Sequence, residues 1–344
     1  MTHETELLNQ IPPPLLSWYD ENRRVLPWRE VVTPYRTWIS EIMLQQTRVQ
    51  AVLPYFQRFV AAAPDAASLA ALTDQQLMAL WQGLGYYNRA RNLRRTARLL
   101  TEHCGGQLPE SYDELRSLPG IGDYTAGAIL SIACGQPIPA VDGNVLRIVC
   151  RLTGYEGNVL EAGTRSTVRR LLADVIPTDR PGDFNQALMD LGASVCLLGS
   201  PACDRCPLSS LCTACREGRQ GTLPVREKKT TRHQERRTVF LLDREGRTAL
   251  RQRPDSGLLA GLWEYPNVAG ALSEAEAARQ LTQWGLTPAL WQERSSAKHI
   301  FTHIVWNMTV YRLSVTGDGP EDWIWCAPEE RNAYPMPTAF VKLQ

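Results

Sequence analysis

The stretch that decides the fold is LPGIGDYTAGAIL, Leu118 to Leu130. Gly120 and Gly122 fall in a tight turn that follows one helical pattern and precedes another. Glycine tolerates positive φ and the close approach of another backbone, so the free amide N–H groups opening the second helix can face a phosphate. Such a turn holds a nucleic-acid backbone without reading its sequence. The same glycines also suit a helix-turn-helix connection that only packs. Twenty residues beyond Gly122 comes VDGNV, with Asp142 directly ahead of a helical pattern, the usual place for an N-cap.

Outward from this point, residues 1–215 read mainly as helix, with apolar residues near the helical period at Trp38, Ile42 and Val49 and at Val145, Ile148, Val149 and Leu152. The segment from Cys215 to Arg237 is polar, with 8 Lys+Arg against 3 Asp+Glu over residues 216–237, and predicts an exposed basic linker. Beyond it, Thr238–Leu242 and His299–Leu313 read as strands and Leu272–Trp284 as a helix, which makes the last part, 238–344, α+β. A length of 344 residues suits two domains. The composition, 44% hydrophobic and 21% charged, is globular and excludes a largely disordered or collagen-like chain. No apolar run suggests a membrane helix, and the start shows no basic-then-apolar signal, which predicts a cytoplasmic protein. The net charge of +1 says nothing of a polyanionic partner. Every permanently cationic side chain before Lys228 is arginine.

Nine cysteines without a signal sequence argue against a disulfide framework. Four are spaced C-x6-C-x2-C-x5-C: Cys196, Cys203, Cys206 and Cys212. Soft thiolates this close together suit either a zinc ion or an iron–sulfur cluster. Cys215 reads as spare, and Cys104, Cys134, Cys150 and Cys326 as ordinary buried thiols.

Taken together, the glycine hairpin (about residues 115–130), the aspartate that follows and the four-cysteine spacing resemble the helix-hairpin-helix DNA glycosylases, in the branch carrying a [4Fe–4S] cluster. The resemblance implies one [4Fe–4S] cluster on Cys196, Cys203, Cys206 and Cys212, DNA contacts at Gly120 and Gly122, and an active-site role for Asp142. In the endonuclease III type a hairpin lysine attacks the sugar; the matching residue here is Tyr124, and no lysine occurs in this domain. That predicts hydrolytic, monofunctional base removal.

PYRTWISEIMLQQTRV, residues 34–49, resembles the MutY-type adenine glycosylases and puts Glu41 on that family's catalytic glutamate. The implied chemistry protonates adenine N7 from Glu41 and leaves an oxocarbenium-like sugar. An ionised Asp142 stabilises or traps that sugar before water adds, with Tyr124 and Asn144 as hydrogen-bonding support. Because a base inside a duplex is out of reach, the nucleotide must be flipped out. Gln45, Gln46 and Thr47, with the later Gly83–Tyr87, match the family's wedge segments; Leu84 is among the expected DNA contacts, and Gln46 and Tyr86 are the expected wedges. Trp28, Arg29 and Gln186 correspond to its adenine pocket. The arginines at 89, 91, 94, 95 and 98 read chiefly as a solvated helix face.

GLLAGLWEYP, residues 257–266, resembles the Nudix-like recognition domain of the same proteins. The following run, Ala277–Gly285, has no acidic residue for a divalent cation, so recognition is expected there and pyrophosphate hydrolysis is not. The family reads 8-oxoguanine with a Phe-Ser-His loop; here the residues are Phe301, Thr302 and His303, and Thr302 keeps the hydroxyl while adding a methyl. The whole reading is a multidomain, monomeric enzyme. A mainly α helix-hairpin-helix glycosylase domain (1–215), a basic linker (216–237) and an α+β Nudix-like domain (238–344) act on double-stranded DNA with adenine opposite 8-oxoguanine or guanine. A same-fold enzyme for another mismatched base and a non-enzymatic mismatch binder are the alternatives.

Overall fold

Proline and hydroxyl caps cut the first part of the chain into short helices. In chain order they are α1 (His3–Leu8), α2 (Pro12–Asn22), α3 (Pro27–Glu30), α4 (Pro34–Leu44), α5 (Val49–Ala62), α6 (Ala66–Ala71) and α7 (Asp74–Trp81). There follow α8 (Asn88–His103), α9 (Tyr112–Ser117), α10 (Asp123–Cys134), α11 (Gly143–Thr153), α12 (Ala162–Ala173), α13 (Pro181–Ser194) and α14 (Thr213–Arg216). The computed structural model describes residues 3–227, 232–254, 256–301 and 303–343. Among them no helix is long and apolar enough to cross a membrane. The chain divides into two compact units, residues 1–72 with 88–228 and residues 73–87 with 229–344. Residues 73–87, expected with the helical domain, thus group with the second unit; a reading that follows chain order cannot see a boundary set by spatial neighbours.

In the helical unit, α4 starts at Pro34 behind Thr33, whose side chain accepts from the Arg36 amide at 3.1 Å. The predicted hairpin forms between α9 and α10. Gly120 takes φ 81°, and a Cβ there would lie 2.9 Å from Asn92 Cβ, so both the turn and the packing require glycine. The core is built from Leu15 and Tyr19 of α2, Val145, Ile148, Val149 and Leu152 of α11, and Phe184, Leu188 and Leu191 of α13. Each such side chain contributes about 1.5–3 kcal/mol by leaving water, so α11 is held by packing more than by its own propensity.

The expected exposed linker differs at both ends, and its last residues, from His233, belong to a strand that runs to Arg244. Arg151 of α11 donates to the carbonyls of Gln220 (2.7 Å) and Leu223 (2.9 Å), and the Val159 amide donates to Val225 O at 3.0 Å. Residues 219–227 therefore lie on the helical unit through their backbone, which side-chain polarity does not reveal.

The second unit contains β1 (His233–Arg244), β2 (Arg247–Gln252), β3 (Trp263–Glu264), β4 (Asn267–Ala269), α15 (Glu274–Gln283), β5 (Thr287–Ile300), β6 (Ile304–Thr316), β7 (Trp323–Cys326) and α16 (Thr338–Val341). The sheet order is β3-β2-β1-β6-β5, with β4 on β1 and β7 on β2; β1 and β6 run parallel and the other pairs antiparallel. Val239 and Leu241 enter one apolar cluster with Trp306 and Phe340, while Phe240 and Leu242 enter another with Leu281 of α15, the two-residue alternation of a strand buried on both faces. The strand expected over His299–Leu313 is two strands: the Phe301 amide donates to Ile304 O at 2.8 Å and closes a turn. Continuous β-branched and aromatic residues masked that turn, which has neither glycine nor proline.

Candidate active site

Glu41 sits on the buried side of α4, 5% exposed, between Trp38 and Leu44. Tyr124 Oη on α10 donates to its Oε2 at 2.5 Å. Burial pushes the Glu41 carboxyl up to about 7; the Tyr124 hydrogen bond and the Arg29 charge oppose this, and the Asp142 charge adds to it.

Asp142 is held quite differently. As N-cap of α11 it accepts from the amides of Asn144 and Val145 through Oδ1, both at 2.8 Å, and from Asn144 Nδ2 through Oδ2 at 2.8 Å. The cap and the active-site expectation therefore describe one geometry. Burial holds this carboxyl above its ordinary value too, against the hydrogen bonds of Val145 and Asn144 and the charge of Arg147, which favour its anion. Arg147 Nη2 donates to Asn144 Oδ1 at 2.8 Å and fixes which way that amide points. Gly192 of α13 makes the room, since a Cβ there would lie 2.5 Å from Asn144 Cβ.

Glu41, Tyr124, Asp142 and Asn144 line a single cleft of about 1700 Å³, and so do Trp28, Arg29, Gln186, Gln45, Gln46, Thr47 and Gly122. Trp28 and Gln186 are buried. Arg29 is tied down: Nη1 and Nη2 donate to Asp190 at 2.7 and 3.0 Å, and Arg24 Nε donates to the same carboxylate at 2.7 Å. Burial alone would raise the Asp190 carboxyl, but Arg29 and Arg24 hold it below its ordinary value. Asp190 was missed from sequence; its only signal is its place one helical turn beyond Gln186.

Gly120 packs beside Asn92 and does not line the cleft. Leu84, buried, and Tyr86, half exposed, belong to the second unit. The two expected wedges share one feature. Gln46 has φ 59° and Tyr86 φ 49°, left-handed conformations that are uncommon outside glycine and concentrate at functional sites.

Of the five arginines expected on a solvated face, Arg89 and Arg94 are buried; Arg94 Nη1 donates to Leu72 O at 3.0 Å. Cys104, expected buried, is exposed, and Cys134 is half-buried. The helix α15 starts earlier than the acid-free run Ala277–Gly285 and carries Glu274 and Glu276; Glu276 is occupied in a capping box with Ser273. Phe301 and His303 flank the β5–β6 turn, and Thr302 lies outside the described residues.

Cys196, Cys203, Cys206 and Cys212 line one small cavity, with Cys215 on its wall. Among the described residues no three His, Cys, Asp or Glu side chains converge as a single metal ion requires. Four sulfurs around one cavity are the soft donor set that a thiolate-held metal centre needs. Their neighbours also fit: Arg151 Nη1 lies 3.3 Å from Cys196 Sγ and Gln220 Nε2 lies 3.7 Å from Cys203 Sγ, donors suited to bound thiolates.

Residues 39–177 match the family described as HhH-GPD superfamily base excision DNA repair protein, and residues 237–344 match the NUDIX domain. Over 96% of its length the chain is 34% identical to the adenine DNA glycosylases of Rattus norvegicus and Homo sapiens, spanning 76% and 72% of those proteins. It is 32% identical to that of Schizosaccharomyces pombe over 92% of the chain and 84% of the relative. Among solved structures, a thermostable thymine-DNA glycosylase superposes with a TM-score of 0.57 at 26% identity, over 62% of this chain and 97% of that one. An endonuclease III in a non-covalent DNA complex shares the fold, with a TM-score of 0.53 at 24% identity over 63% of this chain and 99% of that one. With a glycosylase-type helical unit, a Nudix-like α+β unit and this identity along nearly its whole length, the chain belongs to the adenine DNA glycosylase family.

Proposed function

We propose that this enzyme removes adenine paired with 8-oxoguanine or guanine from duplex DNA, by acid-assisted hydrolysis of the N-glycosidic bond. The observation that carries the reading is the pair Glu41 and Asp142, two carboxyls in one cleft with opposite hydrogen-bond environments. Glu41, buried against the Tyr124 hydroxyl, holds a proton near neutral pH and delivers it to N7, so adenine leaves neutral. Asp142, fixed by three donors, stays anionic beside the sugar cation that forms. Tyr124 orients Glu41, and Asn144, itself oriented by Arg147, orients Asp142. No ε-amine is available to form a Schiff base in residues 1–227, since they contain no lysine.

Around this centre, Trp28, Arg29 and Gln186 form the base pocket, with Arg29 held by Asp190. Gln46 and Tyr86 hold open the gap left by the flipped nucleotide, supported by Gln45, Thr47 and Leu84, while Gly120 and Gly122 open the hairpin toward a phosphate. Phe301, Thr302 and His303 read the 8-oxoguanine. Residues 1–215 would form the glycosylase domain and 238–344 the recognition domain of a monomer working on cytoplasmic, nucleoid DNA. Cys196, Cys203, Cys206 and Cys212 would hold one [4Fe–4S] cluster, which supplies a rigid cross-link and redox capacity to residues 196–212; Cys215 would stay outside the ligand set.

Single-turnover excision on duplexes with A opposite 8-oxoguanine, A opposite G, A opposite T and T opposite G tests the reading. Fastest release from the first duplex and almost none from the third are expected; faster release of thymine than of adenine would overturn it. Iron analysis with an absorption spectrum tests the cluster, and stoichiometric zinc after anaerobic purification would refute it.

A further inference from the structure

We infer that Arg89 is a positioning residue that sets the Gln46 turn, and so controls extrusion of the target nucleotide without taking part in bond cleavage. The inference rests on the reading of Gln46 as a wedge. Arg89, in the first turn of α8, is 9% exposed. Its Nη1 donates to the carbonyls of Ile42 (2.8 Å), Met43 (2.8 Å) and Gln45 (2.5 Å), and its Nη2 to Thr47 Oγ1 at 3.2 Å. Thr47 Oγ1 in turn donates to Gln45 O at 3.3 Å.

The last carbonyls of a helix have no partner within it, and a glycine usually ends the helix so that neighbouring backbone can satisfy them. Helix α4 ends differently. It stops at Leu44 without glycine, and the side chain of Arg89 takes two of those carbonyls, where its charge also complements the negative end of the helix. The guanidinium then grips both neighbours of Gln46, Gln45 through its carbonyl and Thr47 through its hydroxyl. Gln46 itself is exposed and left-handed, at φ 59°. A non-glycine residue stays in that conformation only when its surroundings over-determine it; here the Thr47 amide closes the turn on Leu44 O at 3.2 Å, and Arg89 braces it from both sides. Lysine cannot replace it, because an ammonium offers donors from one point where this site uses a planar fork.

The test places 2-aminopurine beside the target adenine and follows its fluorescence as a measure of unstacking, in wild type, R89K, T47V and Q46A. Excision is measured in parallel on a paired duplex and on one with adenine opposite an abasic site, where no base pair must open. R89K is expected to reduce both the fluorescence change and paired-duplex excision about tenfold, the scale of a lost charged hydrogen bond. Excision opposite the abasic site should change much less, and the pH midpoint of excision should not move. T47V, which removes one partner of the brace and leaves Arg89 in place, should show the same pattern more weakly. Equal loss on both duplexes, or a shifted pH midpoint, would mean that Arg89 acts on the chemistry and would overturn the inference. Impaired unstacking in Q46A with normal unstacking in R89K and T47V overturns the brace alone; normal unstacking in Q46A overturns the wedge reading as well.

Discussion

Helices α4 and α11 each deliver one carboxyl to the same cleft, yet they prepare it in opposite ways. Glu41 projects from the interior of α4, where the backbone donors are already committed to the helix and the Tyr124 hydroxyl reaches it. Asp142 stands at the N-cap of α11, where free amide N–H groups and the positive helix end meet it. Burial lifts both carboxyls, and in the proposed mechanism the donors at Asp142 are what keep its charge. In the proposed mechanism, position along a helix, more than residue type, assigns acid and anion.

The largest expected effect comes from removing the acid. E41Q should lower single-turnover adenine release about 10³-fold, within the range general acids supply, while DNA binding persists. Excision within tenfold of wild type would show that the proton comes from elsewhere. D142N sharpens the contrast, because asparagine can still cap α11 through its oxygen but carries no charge. About 10²-fold slower release with an unchanged fold is expected, the scale of one lost electrostatic stabiliser. Comparable activity would assign Asp142 to capping alone.

Stability offers a smaller, independent reading of the same difference. Folding favours the protonated form of Glu41, whose carboxyl moves from 4.5 in the open chain to about 7. Its stabilising contribution is therefore complete below pH 4.5 and is lost as pH rises through about 7. Melting temperatures across that window should fall in wild type and stay flatter in E41Q; parallel curves would contradict the raised carboxyl. The smallest effect concerns α4 one turn earlier, where the Thr37 hydroxyl is buried without a partner among the described residues. T37V should stabilise the fold by about 1 kcal/mol in thermal denaturation. A lower melting temperature would show that the hydroxyl is satisfied.

Local signals are legible in the sequence. The glycine hairpin, the helix read over Leu272–Trp284 and found at Glu274–Gln283, and the strand core Thr238–Leu242 all carry caps, periodicity or alternation within a few residues. What stayed hidden depends on partners far along the chain. Arg89 looks like one more charge on a polar helix until the end of α4 lies against it, and Asp190 looks like a surface acid until Arg24 and Arg29 close on it. The packed backbone of residues 219–227 was hidden for the same reason: its acceptors are carbonyls, which every sequence has.

The most direct test of opposite protonation states is a ¹³C NMR titration of the free enzyme with labelled Glu and Asp carboxyls, using E41Q and D142N to assign the two resonances. The account predicts that the Glu41 resonance titrates near 7 while that of Asp142 remains anionic throughout. A Glu41 resonance already ionised well below that pH, or a proton residing on Asp142 instead, would contradict it.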